Sequence, residues 1–486
     1  MNKYSQRLIQ FWAGYGYRYL PFADAATADL PLSRLLRLSL FQISVGMALV
    51  LLIGTLNRVM IVELGVPASL VSVMISLPLL FAPFRALIGF RSDTHRCALG
   101  WKRVPFIWKG TMVQFGGLAI MPFALLVLSG GGNAAAAPVW VGWLGAGIAF
   151  LLVGAGLHTT QTIGLALATD LAPPESQPKV VGLMYTMLLI GMILSALVFG
   201  AALANFTPLR LVRVIQGSAL ATMILNVAAL WKQEARRPPR GAAPAPPPPG
   251  FRESWTNFCR GGSAVRRLLA VGLGTMAFSM EDVLLEPYGG QILHLTVGTT
   301  TKLTATLAIG GLAGFALASR VLSRGFDPAR MASRGAMVGV PAFLLVIAAA
   351  PAESPWLFAL GTLLIGFGGG LFGHGTLTAT MQHAPADQRG LALGAWGAVQ
   401  ASAAGLAVAL GGVLRDLVAA SGLGQALWPS LGAAATGYTS VYALEVALLL
   451  VTIVAMARLI RRAPASAPAP ASHAHGADEL VAQELT

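Results

Sequence analysis

The chain has 486 residues, of which 56% are hydrophobic and only 11% are charged. Because soluble domains carry about 25% charged residues, this composition excludes a soluble globular protein and predicts a polytopic membrane protein. The net charge of +14 does not indicate nucleic-acid binding, because the basic residues lie at the ends of apolar segments and form no single run. The two cysteines, Cys97 and Cys259, fall in predicted cytoplasmic loops and imply neither a disulfide nor a metal cluster.

The first 37 residues mix aromatic and basic side chains. This mixture suits the boundary between lipid and water, so we predict a helix that lies on the cytoplasmic surface of the membrane. Stacking of the rings on a pigment or on a partner protein is the alternative. The aromatic residues are Phe11, Trp12, Tyr15, Tyr17, Tyr19 and Phe22.

Apolar runs of about 20 residues, the length that crosses a bilayer as a helix, recur twelve times along the chain. They predict an all-α membrane protein with twelve transmembrane helices in two sets of six. The predicted helices are 38–61, 67–90, 104–129, 138–169, 178–204 and 208–231, followed by 266–287, 299–320, 332–350, 355–382, 389–413 and 437–460.

The two sets divide the chain into six-helix bundles at 38–231 and 266–462, preceded by the interfacial segment 1–37. Residues 232–265 contain the run PAPPPPG, which predicts a semi-extended cytoplasmic linker. Residues 463–486 are rich in Ala and Pro and predict a disordered tail. Short loops dense in Lys and Arg stay cytoplasmic, and the basic residues are distributed as expected if both termini are cytoplasmic.

The loop between the second and third helices resembles the signature loop of major facilitator superfamily transporters, roughly GxxxDRxGRR. The gap between its acid and its second glycine is longer here. Asp93, at the cytoplasmic end of the second helix, is predicted to pair with a basic residue and to latch neighbouring helices. The alternative is that the loop only sets the topology. The signature positions are filled by Gly89, Asp93, Gly100, Lys102 and Arg103.

The two halves repeat each other in sequence. DLAPPESQPKVVG (170–182) follows the fourth helix and HAPADQRG (383–390) follows the tenth, and each has Ala-Pro, an acid, a basic residue and then Gly. Parallel repeats of six helices meet at a central cleft near the middle of the bilayer. We therefore predict two pseudo-symmetric bundles around such a cleft.

A second similarity places charged residues in the first helix of each half. NRVMIVELG (57–65) aligns with EDVLLEPYG (281–289), which puts Arg58 and Glu281 at matching depths. Because ionisable residues inside a membrane are costly and usually paired, we predict that Arg58 pairs with Glu281 or Asp282 and closes the outer end of the cleft. Separate snorkelling of these side chains to the interface is the alternative. The same two helices end near Glu63 and Glu286.

Carboxyl groups within the predicted helices are few, namely Glu281, Asp282 and Glu445. Glu281 or Asp282 would supply the titrating group that a proton-coupled transporter needs in its cleft. The sequence has no GxxxxGK[ST] phosphate loop, no zinc-ligand spacing and no nucleophile–base constellation. We therefore do not expect an enzyme.

Two histidines fall within predicted helices, His158 in the fourth and His374 in the tenth, and both have glycines nearby. Glycines allow helices to approach closely and also leave room for a flat macrocycle. An imidazole nitrogen is a good axial ligand for the magnesium of a chlorin, although Mg²⁺ otherwise prefers oxygen. Both histidines are therefore candidate pigment ligands, and hydrogen-bonded packing within each bundle is the alternative.

Several longer strings carry a family resemblance. They are GTLNRVMIVELGVP (54–67), FRALIGFRSD (84–93), GWKRVPFIW (100–108), ATDLAPPE (168–175), EDVLLEPYG (281–289) and GLALGAWGAVQ (390–400). These strings resemble the PucC/LhaA family, the bacteriochlorophyll delivery branch of the major facilitator superfamily, and the resemblance covers residues from about 30 to 460. The string LPFADAA (20–26) resembles the LhaA side, which serves the core antenna, more than PucC, which serves the peripheral antenna.

The resemblance implies an assembly factor for light-harvesting complexes in the inner, intracytoplasmic photosynthetic membrane of purple bacteria. Such a protein would hold bacteriochlorophyll and deliver it to newly inserted antenna polypeptides. Expected partners are the pigment, the antenna polypeptides, the reaction-centre core and membrane lipid, with no nucleic acid. The alternatives are a proton-coupled secondary transporter of a small solute and a structural subunit that holds no pigment.

Overall fold

The structure is a computed structural model, and its architecture is helical throughout the part of the chain that it describes. The described residues are 25–27, 30–80, 88, 91–92, 100–130, 136–173, 176–234, 256, 259, 263–383, 389–422 and 433–462. Within these ranges no residue belongs to a β-strand.

The first half contains helices α1 to α6. Helix α1 spans Leu32–Glu63, and its second part includes two π-helical segments, Val50–Leu56 and Val59–Glu63. The other helices are α2 (Ala68–Leu80), α3 (Val104–Leu128), α4 (Val139–Leu171), α5 (Gln177–Ala202) and α6 (Pro208–Leu230).

The second half contains helices α7 to α12. Helix α7 is broken into Ser263–Ala277, a 3₁₀ turn at Glu281–Val283 and a short helix at Leu285–Gln291. The other helices are α8 (Val297–Leu322), α9 (Pro328–Ala349), α10 (Pro355–His383), α11 (Arg389–Ser421) and α12 (Ala433–Arg462).

These helices confirm the predicted fold class. Eleven helices in the described ranges are long and apolar enough to cross a membrane, and α2 adds a shorter apolar helix at Ala68–Leu79. Helix α1 begins at Leu32, before the predicted start at 38, because Leu35 and Leu38 are fully buried in a cluster with residues of α4 and α5. The predicted interfacial segment up to residue 24, most of the linker and the tail lie outside the described residues.

Glycines bring helices of the same half into backbone contact. A Cβ on Gly110 of α3 would lie 3.0 Å from the carbonyl oxygen of Gly156 in α4. In the second half, a Cβ on Gly366 of α10 would overlap the carbonyl oxygen of Leu307 in α8. Small residues at such crossings let helix backbones approach each other, which is the usual way that helices pack in lipid.

The two halves contact each other most closely at one end of the molecule. We call this the distal end; α1 ends there and α2 begins there. At the distal end the backbone N–H of Ser69 in α2 donates to Asp416 Oδ2 of α11 at 2.7 Å. The side-chain amide of Asn57 in α1 donates to the carbonyl oxygen of Val283 in α7 at 2.8 Å. We call the opposite end, where α3 begins and α4 ends, the basic end.

The contact between α8 and α10 predicts a stability difference between two glycines of the same helix. Gly366→Ala should lower the free energy of unfolding by about 1–3 kcal/mol, because the new methyl group has no space beside Leu307. Gly373→Ala should leave it unchanged or raise it, since no atom lies within 4 Å of that Cβ position and Ala favours helix. Thermal unfolding of the purified protein in detergent measures both, and equal melting temperatures for the two variants would contradict the packing.

Candidate functional site

Arg58 lies at the interface between the halves, where the sequence predicts an ion pair, but its partner differs from the predicted one. It is 3% exposed. Its Nη1 pairs with Glu63, and its Nη2 donates to the carbonyl oxygen of Leu295 at 3.0 Å. Arg58 forms no ion pair with Glu281 or Asp282, so this prediction is wrong. Arg58 still connects the two halves at the distal end, through the carbonyl of Leu295.

The π-helical segment Val59–Glu63 explains the change of partner. In an α-helix of 3.6 residues per turn, residues five apart point to different sides. A π-helix closes its hydrogen bonds between residues five apart, which places Arg58 and Glu63 on the same side. In a regular α-helix Glu63 would point away from Arg58, which is why the sequence favours a partner in the other half.

The side chain of Glu286 in α7 lies at the interface and packs against α1 of the other half. It is 4% exposed, and the hydroxyl of Thr304 in α8 donates to its Oε1. A Cβ on Gly54 of α1 would overlap the same carboxylate oxygen. Gly54 therefore makes room for Glu286, and the first helices of the two halves meet through this carboxyl group.

Two further acidic residues, Glu281 of α7 and Glu445 of α12, are buried and in contact with each other. The backbone N–H of Glu281 donates to Oε1 of Glu445 in α12 at 2.8 Å. Glu281 is 2% exposed and Glu445 is fully buried. The Oε2 atoms of both residues and the hydroxyl of Tyr442 are buried and have no hydrogen-bond partner. Asp282, the other predicted acid of this turn, is half-buried.

Glu281 also lines a cavity between the halves, which we call the central cavity. The volume of the central cavity is about 160 Å³, below the roughly 300–1,000 Å³ of pockets that hold drug-sized ligands. It is therefore too small for a macrocycle. Its walls are Leu189 and Met192 of α5, Phe278 and Glu281 of α7, Leu307, Ala308 and Gly311 of α8, and Ile365, Gly366 and Gly369 of α10.

The two candidate histidines lie in different halves, and neither lines the central cavity. His158 in α4 is buried and already has an interaction partner. His374 in α10 is half-buried, and its ring packs edge-on against Phe315 of α8 with 4.2 Å between ring centroids. The Nδ1 atom of His374 is buried without a hydrogen-bond partner. Of the two histidines, His374 fits an external ligand better.

An Arg-centred network at the distal end was missed by the sequence analysis. Arg415 of α11 donates to Asp416 Oδ1 at 2.7 Å and to Gln291 Oε1 at 2.6 Å. Its guanidinium lies 4.7 Å from the ring centroid of Tyr438, whose hydroxyl donates to the same Gln291 oxygen at 2.8 Å. The sequence signal for this network was the adjacent pair Arg415 and Asp416 in an apolar stretch, because charged residues within membranes usually occur in pairs.

At the basic end, Glu234 holds the start of α3. Its carboxylate accepts the backbone N–H groups of Lys102 at 2.7 Å, Arg103 at 3.0 Å and Val104 at 2.9 Å. An anion at a helix N-terminus satisfies free N–H groups and opposes the helix dipole. Gly100, just before, has φ +80°, a backbone conformation that glycine adopts without strain.

Arg103 joins three segments at the same end. It is 5% exposed, its Nε donates to Asp170 Oδ2 at 3.0 Å, and its Nη1 donates to the hydroxyl of Ser92. The basic part of the signature loop therefore latches α3 to the end of α4. The predicted positions Gly89 and Asp93 lie outside the described residues.

A second cavity, which we call the lateral groove, lies between α1, α3 and α6 near the distal end. Its volume is about 620 Å³. Its lining is mostly apolar and includes Glu63 and Gln216. Phe123, which is 71% exposed, lies on its rim. A groove of this size and polarity suits an apolar ligand.

Relatives of known sequence match almost the whole chain. A family model described as "PUCC protein" matches residues 55–464. "Protein PucC" from Rhodovulum sulfidophilum is 64% identical over 420 residues, which are 86% of this chain and 92% of that protein. "Protein PucC" from Cereibacter sphaeroides is 56% identical over 468 residues, which are 96% of this chain and 99% of that protein.

Solved structures with the same fold are transporters. A bacterial homologue of the human lysosomal transporter Spinster, in an inward-facing and unoccupied conformation, superposes with a TM-score of 0.62 at 16% identity. The superposition covers 90% of this chain and 99% of that protein. At this identity the likeness concerns the fold alone.

The capping of α3 predicts that the charge and the shape of Glu234 contribute separately to stability. Glu234→Ala should lower the free energy of unfolding by about 1–2 kcal/mol, because three N–H groups lose their acceptor. Glu234→Gln, which keeps one acceptor oxygen and loses the charge, should lie between the wild type and Glu234→Ala. Thermal unfolding in detergent ranks the stabilities of the wild type and the two variants. An unchanged melting temperature for Glu234→Ala would contradict the capping role.

Proposed function

Because this chain belongs to the PucC family and has the fold of the major facilitator superfamily, we propose that it assembles light-harvesting complexes. In this proposal the protein binds bacteriochlorophyll and delivers it to newly inserted antenna polypeptides of a purple bacterium. The observation that carries the proposal is the 64% identity to a protein named PucC over 86% of this chain. Similarity at this level over both halves supports a shared role.

The proposed location is the inner, intracytoplasmic photosynthetic membrane, with both termini in the cytoplasm. Lys102, Arg103 and Arg34 lie at the basic end, and basic residues are retained on the cytoplasmic side. In this orientation the distal end faces the periplasm. The contacts between the halves then close the protein on its periplasmic side.

His374 is the proposed axial ligand of the pigment magnesium. Its Nδ1 has no hydrogen-bond partner, its side chain is half-buried, and Phe315 beside it offers an aromatic edge. No atom lies within 4 Å of the Cβ position of the adjacent Gly373, so space exists next to the histidine. When bound, the magnesium would supply a Lewis-acid centre that the imidazole holds in place.

The lateral groove is the alternative pigment position. It is about four times as large as the central cavity, and its apolar walls suit the hydrocarbon part of a pigment. Glu63 and Gln216 offer the oxygen ligands that Mg²⁺ prefers. A groove in the side of the bundle would also allow transfer to an antenna polypeptide within the membrane.

The core antenna and the reaction-centre core remain the predicted partners. The relatives reported above carry the name PucC, which the family resemblance associates with the peripheral antenna. A proton-coupled secondary transporter of a small solute is the second candidate function. One observation favours it: the carboxyl group of Glu281 lines a cavity between the halves, where transporters of this architecture hold their substrates.

Deletion of the gene should reduce the near-infrared absorbance of the assembled antenna severalfold, because pigment delivery limits assembly. The wild-type gene on a plasmid should restore the absorbance, and spectra of isolated membranes measure both. Unchanged core and peripheral bands in the deletion strain would overturn the assembly proposal. A colourless purified protein that transports a solute in proteoliposomes, with uptake abolished by Glu281→Gln, would establish the second function.

His374→Ala should reduce the pigment that copurifies with the protein by about tenfold, because the magnesium loses its axial ligand; a tenfold loss corresponds to about 1.4 kcal/mol. His158→Ala is the matched control and should keep its pigment, since that side chain is buried and already has a partner. Pigment absorbance per protein, measured after gentle purification, compares the two.

The lateral groove has its own control pair on α6. Val212 lines the groove, whereas Leu220 is 60% exposed on the same helix and is not among the lining residues. With His374 as the ligand, Val212→Trp and Leu220→Trp should both retain pigment. Loss of pigment in Val212→Trp alone, with retention in His374→Ala, would assign the pigment to the groove and refute the histidine.

A further inference from the structure

The carboxyl groups of Glu281 and Glu445 have no cationic partner among the described residues. Glu445 accepts the backbone N–H of Glu281 at 2.8 Å, but Oε2 of each side chain remains without a hydrogen bond. Two arginines at the interface are engaged elsewhere. Arg58 pairs with Glu63, and Arg415 pairs with Asp416.

The other titratable groups around this pair are acids and phenols. On α7 itself they are Asp282 and Tyr288, and from α12 they are Tyr438 and Tyr442. The hydroxyl of Tyr442 is buried without a partner. The lining of the central cavity from α5, α8 and α10 contributes no titratable side chain.

Such surroundings disfavour a negative charge on either carboxyl group. Ionised groups without water or an opposite charge are strongly disfavoured in a protein interior, and two carboxyl groups that share a site do not both ionise. A protonated carboxyl group is also a hydrogen-bond donor, so it would supply a donor to one of the buried oxygens that now has no partner. A metal ion is a poorer occupant, because the described residues contain no group of three or more acidic, His or Cys side chains arranged to hold one.

The position of Glu281 in α7 connects the pair to the interface between the halves. Glu281 begins the 3₁₀ turn that interrupts α7. Two residues further on, the carbonyl oxygen of Val283 accepts the amide of Asn57 from the other half at 2.8 Å. The carbonyl of Met280, one residue before, lies against Gly411 of α11. Movement of the turn therefore acts directly on a contact between the halves.

We propose that Glu281 and Glu445 form a proton-binding site beside the central cavity, and that loss of the proton changes the closure of the two halves around that cavity. Deprotonation adds a charge that the site cannot neutralise, so Glu281 moves towards water and carries the turn with it. The distal contact through Asn57 and Val283 is then weakened. This site does not depend on the cargo proposed above and would operate in a pigment carrier or in a transporter.

The test uses the full-length protein with Cys97 and Cys259 replaced by Ser and a single new cysteine, Met192→Cys, in the wall of the central cavity. The labelling rate with a maleimide is measured at mildly acidic and mildly alkaline pH. The same cysteine in a Glu281→Gln, Glu445→Gln background corrects for the ionisation of the thiol. The ratio of the two rates should change about tenfold between the two pH values, a typical coupling strength.

Glu353→Gln, at an exposed turn between α9 and α10, is the matched control and should keep the full pH dependence. Infrared spectroscopy supplies a second measurement, independent of labelling. The wild type should show a protonated carboxyl C=O band at neutral pH that the double Gln variant lacks. A rate ratio that is independent of pH, or the same carboxyl band in both proteins, would overturn the proposal.

Discussion

The pairing of buried charges decides how the two halves of this protein meet. The interior of a bilayer has no water to solvate an ion, so each ionised side chain at the interface needs a partner within the protein. Arg58 has Glu63 and the carbonyl of Leu295, and Arg415 has Asp416. All of these partners lie at the distal end, and two of the charged residues also bind the other half there: Arg58 through the carbonyl of Leu295, and Asp416 through the backbone N–H of Ser69. Glu281 and Glu445 have no cationic partner among the described residues, and the proposed proton-binding site depends on this difference.

The first helix of each half departs from α-helical geometry at the same depth, but in different ways. Helix α1 widens into π-helical turns, which align Arg58 with its neighbour Glu63. Helix α7 breaks at a 3₁₀ turn, which releases backbone groups that must find partners in the absence of water. The backbone N–H of Glu281 donates to the carboxylate of Glu445, and the carbonyl of Val283 accepts the side-chain amide of Asn57. The break in α7 and the buried polar residues around it therefore depend on each other.

The sequence contained enough information for the helices and their order, because these follow from long apolar runs. The sequence also predicted, from its repeat, two bundles with Arg58 and Glu281 at matching depths. It did not supply the partner of Arg58, since a π-helical turn leaves no mark in the apolar pattern. The contact between Glu281 and Glu445 joins residues 164 positions apart, and no local pattern predicts such a contact. His158 and His374 were found by residue type alone, and only the unpartnered Nδ1 of His374 distinguishes them.

The strength of the distal contacts determines how easily the two halves separate around the central cavity. Close backbone contacts such as Gly200 against Gly298 connect the halves there, and hydrogen bonds add to them, among them Ser69 to Asp416, Asn57 to Val283 and Arg58 to Leu295. Each of these hydrogen bonds contributes about 0.5–1.5 kcal/mol, or somewhat more where a charge takes part, so together they amount to a few kcal/mol. The hydrogen-bonded part of this contact is therefore of a size that binding of one ligand or one proton is able to shift. While these contacts hold, the central cavity, at about 160 Å³, is smaller than pockets that hold drug-sized ligands, so both proposed pigment positions lie outside it.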